Sequence, residues 1–205
     1  LEGEDFIVIG GYESGIDAAY HLARNNKKVK VFDIDCPWGE HSSDPSIALS
    51  TYSFERMRDD NFGKNVELFA DTGIRSVRQS NQTYEVVTLD DEVYTSSTRP
   101  LLATGFDGSH KSYPSLFDSR EDGFPLVNDN DESTVMPGVY LCGPTLRHDN
   151  HIFCFIFKYR QRFAVVAKAI AESLGLETDD FVEAYRSWGM YLDDLSCCGQ
   201  ECLTC

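Results

Sequence analysis

Residues 6–15 read Phe6-Ile7-Val8-Ile9-Gly10-Gly11-Tyr12-Glu13-Ser14-Gly15, and this stretch decides the fold. Four apolar residues suit a buried strand, and two glycines then allow a tight turn. Beyond the turn Ile16, Ala19, Tyr20 and Ala23 recur at helical spacing as far as Asn25-Asn26. Lys27-Lys28 precedes a second strand, Val29 to Phe32, closed by Asp33. Strand, glycine turn, helix and strand make one βαβ unit, the building block of a parallel sheet.

Chemistry follows from the order of these parts. A dinucleotide site needs a glycine turn at a strand end, helix N-terminal amides facing a pyrophosphate, and an acidic side chain after the second strand for the ribose hydroxyls. Gly10, Gly11, Tyr12, Glu13, Ser14 and Gly15 supply the turn and first helical residues, and Asp33 the carboxylate. Tyr12 stands where G-x-G-x-x-G has its second glycine, so the same turn also suits simple packing of helix on strand. Between Val31 and Glu55 the chain offers Asp33, Asp35, Glu40 and Asp44 but no Lys or Arg. A 2′-phosphate would be repelled there, which predicts NADH in preference to NADPH.

Working outward, a helix is expected from Ser46 to Asp60 with Gly63 as its stop. Short strands follow at Val66–Phe69, Ile74–Gln79, Tyr84–Leu89 and Glu92–Tyr94, separated by turn residues, and read as a β-meander. Leu101 to Gly105 is a short buried strand ending in glycine, Phe106 to Pro137 a loop, and Gly138 to Gly143 one more strand. From Ile152 to Leu174 apolar residues follow one stripe of a long helix closed by Gly175, and a last amphipathic helix runs from Asp179 to Leu195. The fold class is α/β.

Composition narrows the function. The chain has 205 residues, 41% of them hydrophobic, with 34 acidic and 18 basic side chains and a net charge of −16. It can bury a core, and its field repels polyanions, which argues against nucleic acid as a partner. The longest apolar run, Ile152 to Phe157, falls far short of the roughly 20 residues that cross a bilayer. A soluble protein is expected. The chain enters a strand by Phe6 without a leader, as a piece of a longer protein would. Cys36, Cys142 and Cys154 are scattered, and Cys197, Cys198, Cys202 and Cys205 crowd the end. This is no spaced disulfide framework, and a cytoplasmic location is expected.

Gly10-Gly-Tyr-Glu-Ser-Gly15, the meander, Ala103-Thr104-Gly105, and Pro137-Gly-Val-Tyr-Leu-Cys-Gly-Pro144 before a helix resemble, in that order, the flavin-dependent pyridine nucleotide-disulfide oxidoreductases, especially thioredoxin-reductase-like and flavin-monooxygenase-like members. The resemblance implies a C-terminal fragment in which residues 1–105 form the NAD(P)-binding domain, 106–176 the C-terminal segment of a split FAD-binding domain, and 177–205 a helix and cysteine-rich tail. It places Ala103, Thr104 and Gly105 at the domain junction near the flavin, and Gly143 in the family's late Gly-Asp motif, where this chain has Pro144. Arg160-Gln161 resembles an Arg-Gln pair near the flavin.

The implied activity is that of a flavin-dependent NAD(P)H oxidoreductase. NADH reduces a bound FAD, which passes electrons to a disulfide or a small-molecule acceptor. The family's C-x-x-C pair inside the NAD domain is missing, since that region has Cys36 alone. Cys202 and Cys205 are the redox candidates in its place. The same four tail sulfurs, Cys197, Cys198, Cys202 and Cys205, also suit zinc or an iron–sulfur cluster. The basic residues Arg147, Lys158, Arg160, Arg162 and Lys168 suit either an anionic cofactor or a solvated helix face, and His148 and His151 suit either structure or catalysis. A homodimer is compatible with the pattern. The competing reading is a catalytically degenerate nucleotide-binding module, or a metal-binding protein that uses the tail.

Overall fold

The computed structural model describes residues 2–40, 42, 48–149, 151–153 and 155–195. The chain divides into two compact units, Leu1–Phe106 and Asp107–Cys205.

In the first unit, β1 (Asp5–Ile9), β2 (Lys28–Phe32), β3 (Val66–Phe69) and β7 (Leu101–Leu102) form a parallel sheet in the order β3-β2-β1-β7. Successive strand residues face opposite sides, so β1 feeds two cores. Phe6 and Val8 join Val29 and Val31 against Ile16, Ala19 and Leu22 of α1 (Glu13–Arg24), with Leu49 and Phe62 completing the layer. Ile7 and Phe32 face the other way, toward Val86.

That second face is covered by an antiparallel sheet, β4 (Ile74–Ser80), β5 (Thr83–Thr88) and β6 (Val93–Ser96), in the order β4-β5-β6. Its turns carry Asn81 and Asp91 at φ 57° and 66°, left-handed values that Asn and Asp tolerate better than most residues. The Phe32 and Phe69 rings stack at 4.5 Å, and Tyr94 meets Phe32 edge-on at 4.7 Å. The three-stranded meander is therefore as the turns predict. Val66–Phe69, the first strand of that series, pairs with β2 in the parallel sheet instead.

Between β2 and β3 stand two short helices, α2 (Thr51–Met57) and α3 (Asp60–Asn65), in place of one helix ending at Gly63. The break is chemical. Asp59 accepts from the Asn61 amide and caps a new helix, with Gly63 inside it.

The second unit is irregular. Isolated bridges Val127↔Ser133 and Glu132↔Tyr140, a short hairpin of β8 (Arg147–His148) and β9 (His151–Ile152), and helices α4 (Ile156–Tyr159), α5 (Phe163–Ser173) and α6 (Asp179–Ser187) surround a core of Leu141, Leu146 and Phe153. The expected strand over 138–143 contributes only the bridge at Tyr140, because Gly138 and Gly143 at φ 81° and 116° bend the backbone out of the extended region. The expected helix from Ile152 starts at Ile156, since Ile152 pairs with Arg147, and it tightens to a 3-10 turn at Arg160–Arg162. α6 ends early, at a Schellman motif. Gly189 at φ 63° lets its amide reach the Arg186 carbonyl and the Met190 amide reach that of Tyr185.

Arg162 is the hub of this unit. Its guanidinium, 1% exposed, donates to both carboxylate oxygens of Asp131 at 2.9 and 2.6 Å and to the carbonyls of Asp129 and Leu192 at 2.6 Å each. His148 Nε2 lies 2.6 Å from the Asp131 carboxylate. An apolar stripe read from sequence misses this, because a buried arginine is legible only through its partners.

Candidate functional site

The order β3-β2-β1-β7 reverses direction between β1 and β7, and ligands of such sheets bind outside the carboxyl ends of the strands at that point. A cleft of about 840 Å³ opens there, lined by Gly10, Tyr12, Asp33, Asp35, Glu40 and Ala103 among others. A second hollow of about 290 Å³ lies beside Lys28, Lys30 and Lys64. Lys28 is bonded to the Lys64 carbonyl and to Asn65, and Lys30 pairs with Glu67. Lys28 and Lys30 are thus engaged within the sheet edge.

The glycine turn is built so tightly that side chains are excluded. Gly10 has φ 101°, its amide continues the sheet to the Phe32 carbonyl at 2.8 Å, and a Cβ on it would run into the Ala103 carbonyl. A Cβ on Gly15 would strike the Gly10 carbonyl oxygen. One on Gly11 would strike the Trp38 ring, which packs over the turn. Trp38 is a component that sequence reasoning missed, since its approach to Gly11 is a contact across the sheet end.

Helix α1 starts at Glu13 with no side-chain cap from Tyr12, and its first intrahelical bond runs from the Ile16 amide to the Tyr12 carbonyl at 3.0 Å. The amides before Ile16 therefore belong to the positive end of the helix dipole. Tyr12 lines the cleft but points its hydroxyl to the Ala48 carbonyl at 2.9 Å. Glu13 turns to the start of α2, accepting from the Ser50 amide, the Ser50 hydroxyl and the Ser53 hydroxyl at 2.5, 3.0 and 2.6 Å. Its charge is thereby held by α2 in preference to any ligand. Ser14 is exposed beside it.

Asp33 closes the turn. One carboxylate oxygen accepts from the Gly11 amide at 2.5 Å and the other from the Asp35 amide at 2.9 Å. Each oxygen keeps a further lone pair for a ribose hydroxyl. The far wall is apolar: Gly73 lies between Ile34 and Leu89, where an added Cβ would come within 2.5 Å of Leu89 and 3.5 Å of Ile34. Ile34 and Leu89 are 66% and 49% exposed although both line the cleft, an arrangement suited to a flat ring system. On the remaining side Ala103 continues β7 into exposed Thr104 and Gly105, with φ 79° at Gly105. Among the described lining residues there are three carboxylates and no lysine or arginine.

These features fit a pyridine dinucleotide: a cradle that a Cβ would fill, helix amides for phosphate, a carboxylate for ribose. The flavin residues implied by resemblance fit less well. Gly143 belongs to the second unit, with open space around the position of a Cβ, so backbone approach is feasible there. Pro144 brings neither an N–H nor a carboxylate. Arg147 is turned to the carbonyls of Pro144 and Leu146, and His148 is engaged by Asp131. The aspartate contact of the family motif therefore has no replacement among these residues.

The remaining candidates are placed as follows. Arg162, from the basic stretch, is buried structure, and Lys168 pairs with Glu172 at 2.7 Å. Arg160 stacks on Phe157 at 4.2 Å, and Gln161 donates to the Gly189 carbonyl. His151 Nδ1 lies 2.9 Å from the His148 carbonyl oxygen. Burial and the nearby Asp131 carboxylate push the Cys142 thiol up, away from the reactive thiolate. Cys197, Cys198, Cys202 and Cys205 lie outside the described residues. Among the described residues no cluster could hold a metal ion, and no helix is long and apolar enough to cross a membrane.

Comparison with known proteins agrees with the parallel sheet. The model of the pyridine nucleotide-disulphide oxidoreductase family matches residues 1–143. Among solved structures the chain is similar to the bacillithiol disulfide reductase of Staphylococcus aureus, with a TM-score of 0.64 and 16% identity over 84% of this chain and 52% of that one. It is similar to the Bacillus cereus bacillithiol disulfide reductase, with a TM-score of 0.62 and 19% identity over 84% of this chain and 51% of that one. A NAD-dependent persulfide reductase from A. fulgidus gives a TM-score of 0.61 and 16% identity over 82% of this chain and 31% of that one. The chain thus spans about half the length of the bacillithiol disulfide reductases it matches. With the family model matching well over half of its residues, the chain belongs to the pyridine nucleotide-disulphide oxidoreductase family.

Proposed function

We propose that this chain carries the nicotinamide-dinucleotide site of a flavin-dependent oxidoreductase and takes NADH in preference to NADPH. The observation that carries the reading is the glycine turn of Gly10, Gly11 and Gly15, closed by the Asp33 carboxylate beneath the first amides of α1. In this reading the pyrophosphate lies against Glu13–Gly15 backbone, the adenosine ribose on Asp33, and the adenine ring against the exposed faces of Ile34 and Leu89. Asp33, Asp35 and Glu40 repel a 2′-phosphate. The nicotinamide end points toward Ala103–Gly105.

FAD supplies hydride acceptance and onward electron transfer in this family, and we assign its main binding surface to chain beyond these residues. Residues 1–105 act as the nucleotide domain, and 106–176 with Gly143 as the minor part of the flavin domain. The final acceptor is a disulfide or a small molecule, reached through Cys202 and Cys205 where it is a disulfide. Titration of the 205-residue chain with NADH and NADPH, by heat or by Trp38 and Trp188 fluorescence, tests the first step. NADH binding that is tighter than NADPH binding is expected, and binding of neither would remove the reading.

Pro144 favours a second reading, a nucleotide-binding module without turnover. A longer protein that contains this chain, purifies yellow and is bleached by NADH excludes it.

A further inference from the structure

Among the described residues the walls of the cleft hold no lysine or arginine, yet a guanidinium touches them from outside. Arg75 Nη2 donates to the carbonyl of Leu89 at 2.5 Å, and Leu89 is itself fastened by its amide to the Gly73 carbonyl at 2.8 Å. Arg75 follows the lining residue Ile74 in β4 but does not line the cleft itself, and reaches its wall through the Leu89 backbone. The Thr72 amide lies on the Asp33 carbonyl at 2.7 Å, which brings Arg75 within about 10 Å of that contact along the chain. The charge of Arg75 is met by Asp91, an ion pair formed at the tip of the β5–β6 turn, where Asp91 holds φ 66°.

We propose that Asp91 is a specificity-determining residue, which keeps the cleft selective against a 2′-phosphate by neutralising Arg75. The inference rests on the dinucleotide reading of the cleft. A phosphomonoester on the adenosine ribose would be the neighbour of Asp33 and would need a counter-charge within reach, and Arg75 is the described guanidinium bonded to the cleft wall. While Asp91 holds it, the pair has no net charge. Without Asp91 the Leu89 carbonyl still tethers Arg75 beside the cleft, now without its ion-pair partner and with only the more distant Asp90 and Glu92 of the same turn to offset it. The antiparallel sheet thus acts on selectivity through its turn as well as covering the core.

Arg75 and Asp91 side chains are 49% and 76% exposed, so substitutions there leave the core intact. The test is the ratio of NADPH to NADH affinity, measured calorimetrically for the 205-residue chain, for Asp91→Asn and for Asp91→Asn with Arg75→Gln. Asp91→Asn is expected to raise the ratio about fivefold at low salt, less at high salt, as one unit charge near a phosphate dianion in a water-like medium should. The double variant is expected to lose the gain. Asp91→Asn that binds NADH with an unmoved ratio, or a gain that survives in the double variant, overturns this inference alone. A parent chain that binds neither nucleotide overturns the dinucleotide site with it.

Discussion

Asp33 accepts a hydrogen bond from the amide of Gly11, so the end of β2 and the turn after β1 are one structure held by a carboxylate. The bond gives Asp33 a structural role independent of any ligand. Two substitutions therefore separate the roles. Asp33→Ala is expected to lower stability by about 1 kcal/mol and NADH affinity tenfold or more. Asp33→Asn keeps an acceptor for Gly11 but sets an NH2 donor against the Asp35 amide, so it should recover part of the melting temperature while recovering little of the affinity. Calorimetric titration beside thermal unfolding reads both.

The turn also predicts an epistatic pair. Gly11→Ala drives a methyl into the Trp38 ring and is expected to cost about 1–3 kcal/mol in urea unfolding. Trp38→Leu should relieve much of that cost, so the double variant should be more stable than the two single losses summed. Gly15→Ala meets the Gly10 carbonyl, a backbone atom, and no side-chain replacement is expected to rescue it.

Asp131 and Arg162 form an ion pair buried to 0% and 1% exposure. Among the described residues, Arg162→Met leaves the Asp131 carboxylate with His148 alone and removes the guanidinium donor from the carbonyls of Asp129 and Leu192. A loss of about 3–5 kcal/mol is expected in chemical unfolding. Asp131→Asn with Arg162→Met removes both charges and should be less damaging than Arg162→Met by itself.

Acid sensitivity should trace partly to Asp5. Burial pushes its carboxyl up, but hydrogen bonds from the Ser97 hydroxyl and amide outweigh this and hold it below 3.8. The folded state therefore favours the carboxylate. Its contribution is present above 3.8 and lost as pH falls through the lowered folded value. Asp5→Asn should lower the melting temperature at neutral pH, and the difference from the parent chain should vanish at the acid end of a pH series.

How far the sequence carried differs between the units. β1, α1 and β2 were legible because an apolar run, a glycine turn and a helical stripe are local signals, and Asp33 sits where the second strand must end. Val66–Phe69 was legible as a strand but its neighbour was not, since pairing with β2 is set by packing over α3. Trp38 and the Ser50–Ser53 partners of Glu13 were invisible, because they reach the turn from remote stretches. In the second unit the apolar alternation between Gly138 and Gly143 suggested a strand, but both end glycines take positive φ and the segment forms only the bridge at Tyr140. The helical stripe from Ile152 concealed Arg162, whose burial depends on a carboxylate thirty-one positions earlier.

The bond from Arg162 to the Leu192 carbonyl has a consequence for how this protein can be shortened. Leu192 and Leu195 also pack against the core of Leu141, Leu146 and Phe153. A variant that ends at Leu195 keeps both contacts, and one that ends at Tyr191 loses them. Removal of Leu192 strands a buried guanidinium proton, so the shorter variant should unfold at a lower temperature than the longer one.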